Sequence, residues 1–188
     1  MSSKLCFGNV VLEMRSRYLI HHPERAHFVT STIVEWLPIF TSPACCDIVV
    51  NSLQYCRENK NLKIYAWVIL DNHFHAILAA PDLSAVLRDL KSFTAAKILE
   101  RLAGEGREWL HRLRFRRAAH KPNEFQVWQE GSHPQVIAND AMMLQKLEYL
   151  HNNPVKRGWV TAPEHWRYSS AHEWLGGAQS LLRCDAWR

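Results

Sequence analysis

The chain has 188 residues, 21.9 kDa and a 47% apolar fraction, enough for one globular domain with a sizeable core. No apolar run approaches the roughly 18–20 residues of a membrane helix, and Met1 to Gly8 has no apolar signal core. A net charge of +5 permits a polyanionic partner without requiring one. The five cysteines (Cys6, Cys45, Cys46, Cys56, Cys184) form no Cys-x-x-Cys, which argues against a disulfide framework or a structural zinc site and for a reducing cytoplasm.

Taken in chain order, Ala26 to Val34 is rich in β-branched residues and reads as a first strand. Ser42-Pro43 opens a helix to about Arg57, with Ser as N-cap and Pro in the first turn. Leu62 to Leu70 is a second strand, Asp71-Asn72 a tight turn, and His73 to Ala80 the returning third strand. Pro81-Asp82 starts a long helix to about Leu102, whose stripe is Leu83, Val86, Leu87, Leu90 and Ile98; Arg88, Lys91, Ser92 and Ala95 share another face. A basic stretch follows, read as a short helix and then a mobile linker. Phe125 to Gln129 is the candidate fourth strand. Asn139-Asp140 caps a last long helix that the Asn153-Pro154 step ends. Glu164 to Ser170 reads as a packed loop and short helix.

The order β-α-β-β-α-β-α points to an α+β, ferredoxin-like sandwich: a central antiparallel sheet with helices on its faces. A single domain is expected over 1–188. Its core runs from about 18 to 160, and a tail from about 161 to 188 packs on or near it.

Two features carry chemistry. Residues i and i+2 of a strand share a face, so His73 and His75 project side by side from an otherwise apolar strand, spaced to share a divalent metal ion. A buried sheet has little reason to place two imidazoles there with nothing to bind them. In the last helix Met143, Leu144, Leu147 and Leu150 form the apolar stripe, and Tyr149 lies about opposite it. Asn153 stacks one turn beyond Tyr149, where its amide oxygen is a plausible third metal ligand. A metal-binding pair with a displaced tyrosine suits cleavage of single-stranded DNA through a protein–DNA ester.

The charge is uneven. Arg107, Arg112, Arg114, Arg116, Arg117 and Lys121 crowd one segment against a single acid, Glu108, with Trp109 and Phe115 interleaved. Lys156-Arg157 follows the tyrosine helix. Beside a nuclease site such a run is better read as phosphate contact than as a solvated face.

From about Tyr18 to Leu175 the chain resembles the HUH single-tyrosine transposases, specifically the REP-associated tyrosine transposases of bacteria. The resemblance rests on Ala66 to His75, on Leu90-Lys91-Ser92-Phe93-Thr94, and on Val127 to Gly131 with His133-Pro134. It rests most strongly on Tyr149 to Trp159, continued by Trp166 and Ser169-Ser170-Ala171.

The resemblance implies that His73, His75 and Asn153 ligate Mg²⁺ or Mn²⁺. It implies that Tyr149 is the nucleophile, forming a 5′-phosphotyrosine on single-stranded DNA beside REP-like hairpins. Lys91, Arg112, Arg114, Arg116, Arg117, Lys156 and Arg157 are the candidate phosphate contacts, and Phe115 and Trp128 the candidate stacking platforms. A cytoplasmic, nucleoid-associated protein without a membrane partner is expected, with monomer and homodimer both open. Two rivals remain. A replication initiator or relaxase is disfavoured because Ala79 stands where such enzymes carry a further strand histidine. The other is a hairpin-binding regulatory module that has lost mobility.

Overall fold

The computed structural model describes residues 20, 25–105, 107–114, 125–132 and 134–187. Strands β1 (His27–Thr32), β2 (Lys63–Ile69), β3 (His73–Ala79) and β4 (Gln135–Val136) form one sheet in the order β2-β3-β1-β4. Every pairing is antiparallel, with β3 between β1 and β2. Helix α1 (Pro43–Lys60) links β1 to β2, so the two run in the same direction on either side of β3. This is the split β-α-β arrangement expected of a ferredoxin-like sandwich.

β3 is buried along its whole length because both of its faces are covered. Phe74, Ala76 and Leu78 join Val29, Ile33 and Trp67 in one core, filled by α1 and by α2 (Leu83–Glu105). The anticipated stripe Leu83, Val86, Leu87, Leu90 and Ile98 lies within it. Ile77 and Ala79 join Phe28, Ala66, Val68 and Leu70 in a second core beneath α4 (Asp140–Lys156). His73 and His75 alternate onto that second face, at the end of β3 nearer the β2–β3 turn. A bulge between Ile64 and Ala66 keeps both residues facing their proper cores.

The chain after α4 closes the free edge of β2. Ile69 N–H donates to the Tyr168 carbonyl at 2.8 Å, and Ser170 N–H donates to the Trp67 carbonyl at 2.9 Å. Farther along, Asp185 accepts from Ile64 N–H at 2.8 Å, and the Trp67 indole donates to the Leu182 carbonyl at 2.8 Å. An edge that would otherwise offer unpaired backbone groups is thereby occupied. No helix among the described residues is long and apolar enough to cross a membrane.

Three expectations are corrected. Phe125 to Gln129 is not a strand; it makes only isolated bridges, Arg114 to Phe125 and Ile33 to Trp128. The fourth strand is the two-residue β4, which pairs with His27 and Phe28. The segment does follow the edge of β1, with Gln129 N–H donating to the Thr32 carbonyl at 2.8 Å. Gly131, at φ 80°, and Pro134, which has no N–H, then interrupt the ladder. Pro154 does not end α4, which continues to Lys156 with Gly158 turning left-handed beyond it. Only one intrahelical donor is lost there, in the last turn. Leu144 is 65% exposed, outside the stripe that Met143, Leu147, Leu150 and the unanticipated His151 and Pro154 form.

The basic stretch begins as α3 (Arg107–Leu113). The expected mobile linker falls outside the described residues.

Candidate active site

β3 delivers the histidine pair as the alternation requires. The two rings lie 4.7 Å apart between centroids, and both side chains are buried. Each ring is fixed through Nδ1. The Asn72 side-chain oxygen lies 2.6 Å from His73 Nδ1, and because an amide oxygen only accepts, His73 carries its proton on Nδ1. The Thr30 hydroxyl lies 2.8 Å from His75 Nδ1, at the position directly across the β1–β3 ladder. Such partners turn a histidine's Nε2 lone pair toward a ligand.

The electrostatics agree. Burial, with Arg157 nearby, lowers the His73 pKa to about 4. Burial, with the charges of His73, Arg157 and Lys146, lowers that of His75 to about 3. Both imidazoles are neutral at pH 7, the form that ligates metals. His75 Nε2 is buried and has no hydrogen-bond partner. An orphaned buried polar atom costs about 1–3 kcal/mol; with the ring proton on Nδ1, facing the Thr30 oxygen, a cation is the partner that would relieve it.

α4 brings Tyr149 to this pair. Its ring centroid lies 5.5 Å from that of His75 and 5.9 Å from that of Phe28, and 44% of the residue is exposed. Asn153 is half-buried; its Nδ2 donates to the Tyr149 carbonyl at 2.8 Å, keeping its oxygen as the available acceptor. Cations border the tyrosine. Lys156 Nζ lies 5.7 Å from the Tyr149 ring centroid, and Lys146 Nζ lies 4.9 Å from that of Phe28. Four anticipated residues, His73, His75, Tyr149 and Lys156, therefore meet in one place, with Asn153 one turn from the tyrosine.

Two anticipated DNA contacts are corrected. Lys91 is 3% exposed, and its ammonium donates to the carbonyls of Gln129 at 2.9 Å and Gly131 at 2.8 Å. It holds the chain beside β1 and presents nothing to a phosphate. Trp128 is 2% exposed, packed on Phe40 and Phe74, with its indole N–H donating to the Thr94 hydroxyl at 3.0 Å. A ring so enclosed offers no face to a base.

Arg157 is engaged with Asp71 at 2.8 Å, and its guanidinium carbon lies 5.0 Å from the Trp159 ring centroid. It borders the site mainly as a brace for the β2–β3 turn. Arg112 and Arg114 are exposed, Arg112 lying over the Trp109 ring at 5.6 Å. Phe115, Arg116, Arg117 and Lys121 lie outside the described residues.

Four site residues escaped the sequence reading. Lys146 sits three residues before Tyr149, a spacing that could have flagged it. Asn72 directly precedes the pair. Thr30 becomes visible only once the strand register is known. His151 is 4% exposed and binds the Ser170 hydroxyl through Nε2 at 2.9 Å, joining α4 to the segment on the β2 edge.

No family model matches the chain. Over 120 residues it is 26% identical to a REP-associated tyrosine transposase of Escherichia coli, covering 62% of this chain and 58% of that protein. Over 115 residues it is also 26% identical to a Haemophilus influenzae protein provisionally given the same name, covering 61% of this chain and 62% of that protein. The chain thus spans about three fifths of the length of these curated relatives. A solved structure of a REP-associated tyrosine transposase bound to a REP hairpin superposes with a TM-score of 0.60 at 21% identity, covering 94% of both chains. The resemblance read from the sequence is therefore matched by relatives of that description, and the fold is the one a REP-associated tyrosine transposase adopts.

Proposed function

We propose that this protein cleaves and rejoins single-stranded DNA beside REP-like hairpins, as a tyrosine transposase with Tyr149 as nucleophile. The observation that carries the reading is the orphaned Nε2 of His75, on a ring whose centroid lies 5.5 Å from that of Tyr149. Two same-face imidazoles held neutral, with their Nδ1 atoms already engaged, are a donor set suited to Mg²⁺ or Mn²⁺. Nε2 of His73, Nε2 of His75 and the amide oxygen of Asn153 are the atoms that would hold the ion. When bound, it would supply charge neutralisation and orientation at the scissile phosphate.

The side chains account for the remaining steps. The Tyr149 oxygen attacks the phosphorus and gives up its proton to solvent. A P–Oη bond forms as the bond to the 3′-oxygen breaks, and that oxygen takes a proton to become a hydroxyl. The product is a 5′-phosphotyrosine, whose ester conserves the bond for reversal by another 3′-hydroxyl. A phenol with a pKa of about 10 is a weak nucleophile at neutral pH. Lys146 and Lys156, which border the tyrosine, favour the approach of a phosphate. Half exposure of Tyr149 on one helix suits a flexible strand rather than a paired one.

The test incubates wild type and Tyr149→Phe with single-stranded oligonucleotides from DNA flanking the gene, with Mg²⁺ or with EDTA. A covalent adduct on denaturing gels is expected only for wild type with metal. An adduct of equal yield in the phenylalanine variant would remove Tyr149 from its role, and undiminished cleavage in EDTA would remove the metal.

A further inference from the structure

We propose that Trp36 is a stacking platform for an unpaired nucleobase at the rim of the histidine site. This deepens the proposed function and rests on it for the identity of the strand. Trp36 is 57% exposed, more than any other tryptophan among the described residues. Its ring lies 5.9 Å from that of His73 at an interplanar angle of 81°. An edge-to-face contact of that kind leaves a broad indole face open to solvent.

The backbone that presents this ring is held in an unfavourable conformation. Glu35 and Trp36 have φ of 52° and 55°, two consecutive left-handed residues that are not glycine. The surrounding contacts impose it. Leu37, next in the chain, is 1% exposed in the core, and its N–H donates to the Val34 carbonyl at 3.2 Å. Asn72 Nδ2 donates to the Trp36 carbonyl at 3.2 Å, while the oxygen of the same amide receives His73 Nδ1–H at 2.6 Å. One side chain therefore fixes both the tautomer of a candidate metal ligand and the turn that carries the tryptophan. Strain maintained in this way at the edge of a site points to use rather than packing.

The occupant follows from the surroundings. Lys146 and Lys156 border the same site and favour a phosphate chain. A base attached to that chain offers a flat π-face, for which indole is a sequence-tolerant partner. Trp36 and Tyr149 are the two exposed aromatics in ring contact with the histidine pair among the described residues; with Tyr149 assigned to the attack, a base beside the reacting phosphate is the group within reach of Trp36.

The experiment measures binding of the full chain to single-stranded (dT)12 and to an abasic 12-mer of the same backbone charge, by fluorescence anisotropy in EDTA. Wild type should prefer (dT)12. Trp36→Ala should lose roughly ten-fold or more on (dT)12 and little on the abasic strand, with Trp36→Phe between the two. Equal losses on both strands would assign Trp36 a structural role. Unchanged (dT)12 binding, or no preference for bases in wild type, would also overturn the proposal. Binding here needs neither cleavage nor metal, so it stands or falls separately from the Tyr149 adduct.

Discussion

Thr30 and His75 face each other across the β1–β3 ladder, and the Thr30 hydroxyl lies 2.8 Å from His75 Nδ1. The contact fixes the imidazole from behind, leaving Nε2 to point at whatever occupies the site. Thr30→Val keeps the side-chain shape and removes that partner. Metal affinity should fall about 10–100-fold, the usual consequence of losing such a second contact. Stability of the metal-free protein should fall by about 1–3 kcal/mol through the unpaired nitrogen. Mn²⁺ titration and urea unfolding measure the two effects; unchanged Mn²⁺ affinity would mean that His75 is not a ligand.

Lys146 and Lys156 lie along the tyrosine face of α4, ten residues apart, with Tyr149 between them. If both meet phosphates, Lys146→Gln with Lys156→Gln should weaken single-stranded DNA binding. It should also flatten the dependence of log affinity on log salt by about 1.4, at about 0.7 per contact. Titration at four salt concentrations gives the slope. A slope equal to that of wild type would leave both lysines as a solvated border.

Most of the site's frame was legible because it depends on period. His73 and His75 share a face by strand alternation, and Tyr149 leaves the buried stripe of α4 by helical rotation; neither needs tertiary information. What was not legible depended on which segments meet. Thr30 is a partner of His75 only through the register of β1 on β3. Lys91 reads as a surface cation until the carbonyls of Gln129 and Gly131 are seen to enclose it. Trp128 lies in a stretch with the composition of a strand, but Gly131 and Pro134 divide it from the two residues that do pair. Leu144 belongs to the apolar stripe by angle, yet α4 rests on the sheet through Met143, Leu147 and Leu150, leaving it outside.

Lys91 offers a direct test of its corrected role. Lys91→Met removes the donor to two carbonyls while retaining an apolar stem of similar length. The cost should be about 1–3 kcal/mol, read by urea unfolding, since the carbonyls lose their partner even as the burden of a buried ammonium is lifted. The salt dependence of DNA binding should not change. A flatter slope in this variant would show that the ammonium reaches phosphate after all.

His151 supplies a pH dependence of known sign. Burial lowers its pKa from 6.5 to about 4 in the folded protein. Between those values the unfolded chain binds a proton that the folded chain refuses, so acidification favours unfolding. The contribution is fully present above about pH 6.5 and is lost as the pH falls toward 4, amounting to at most about 3 kcal/mol. His73 and His75 are shifted in the same direction, so wild type should lose stability steeply over that range. His151→Gln keeps hydrogen-bonding reach toward Ser170 but cannot titrate. Its stability in EDTA should therefore fall less steeply, by about 1.4 kcal/mol per pH unit for one proton. Urea midpoints from pH 4 to 8 for both proteins decide the matter. Parallel curves would mean that His151 takes up its proton equally in the folded and unfolded chains, and so is not sealed against Ser170 in solution.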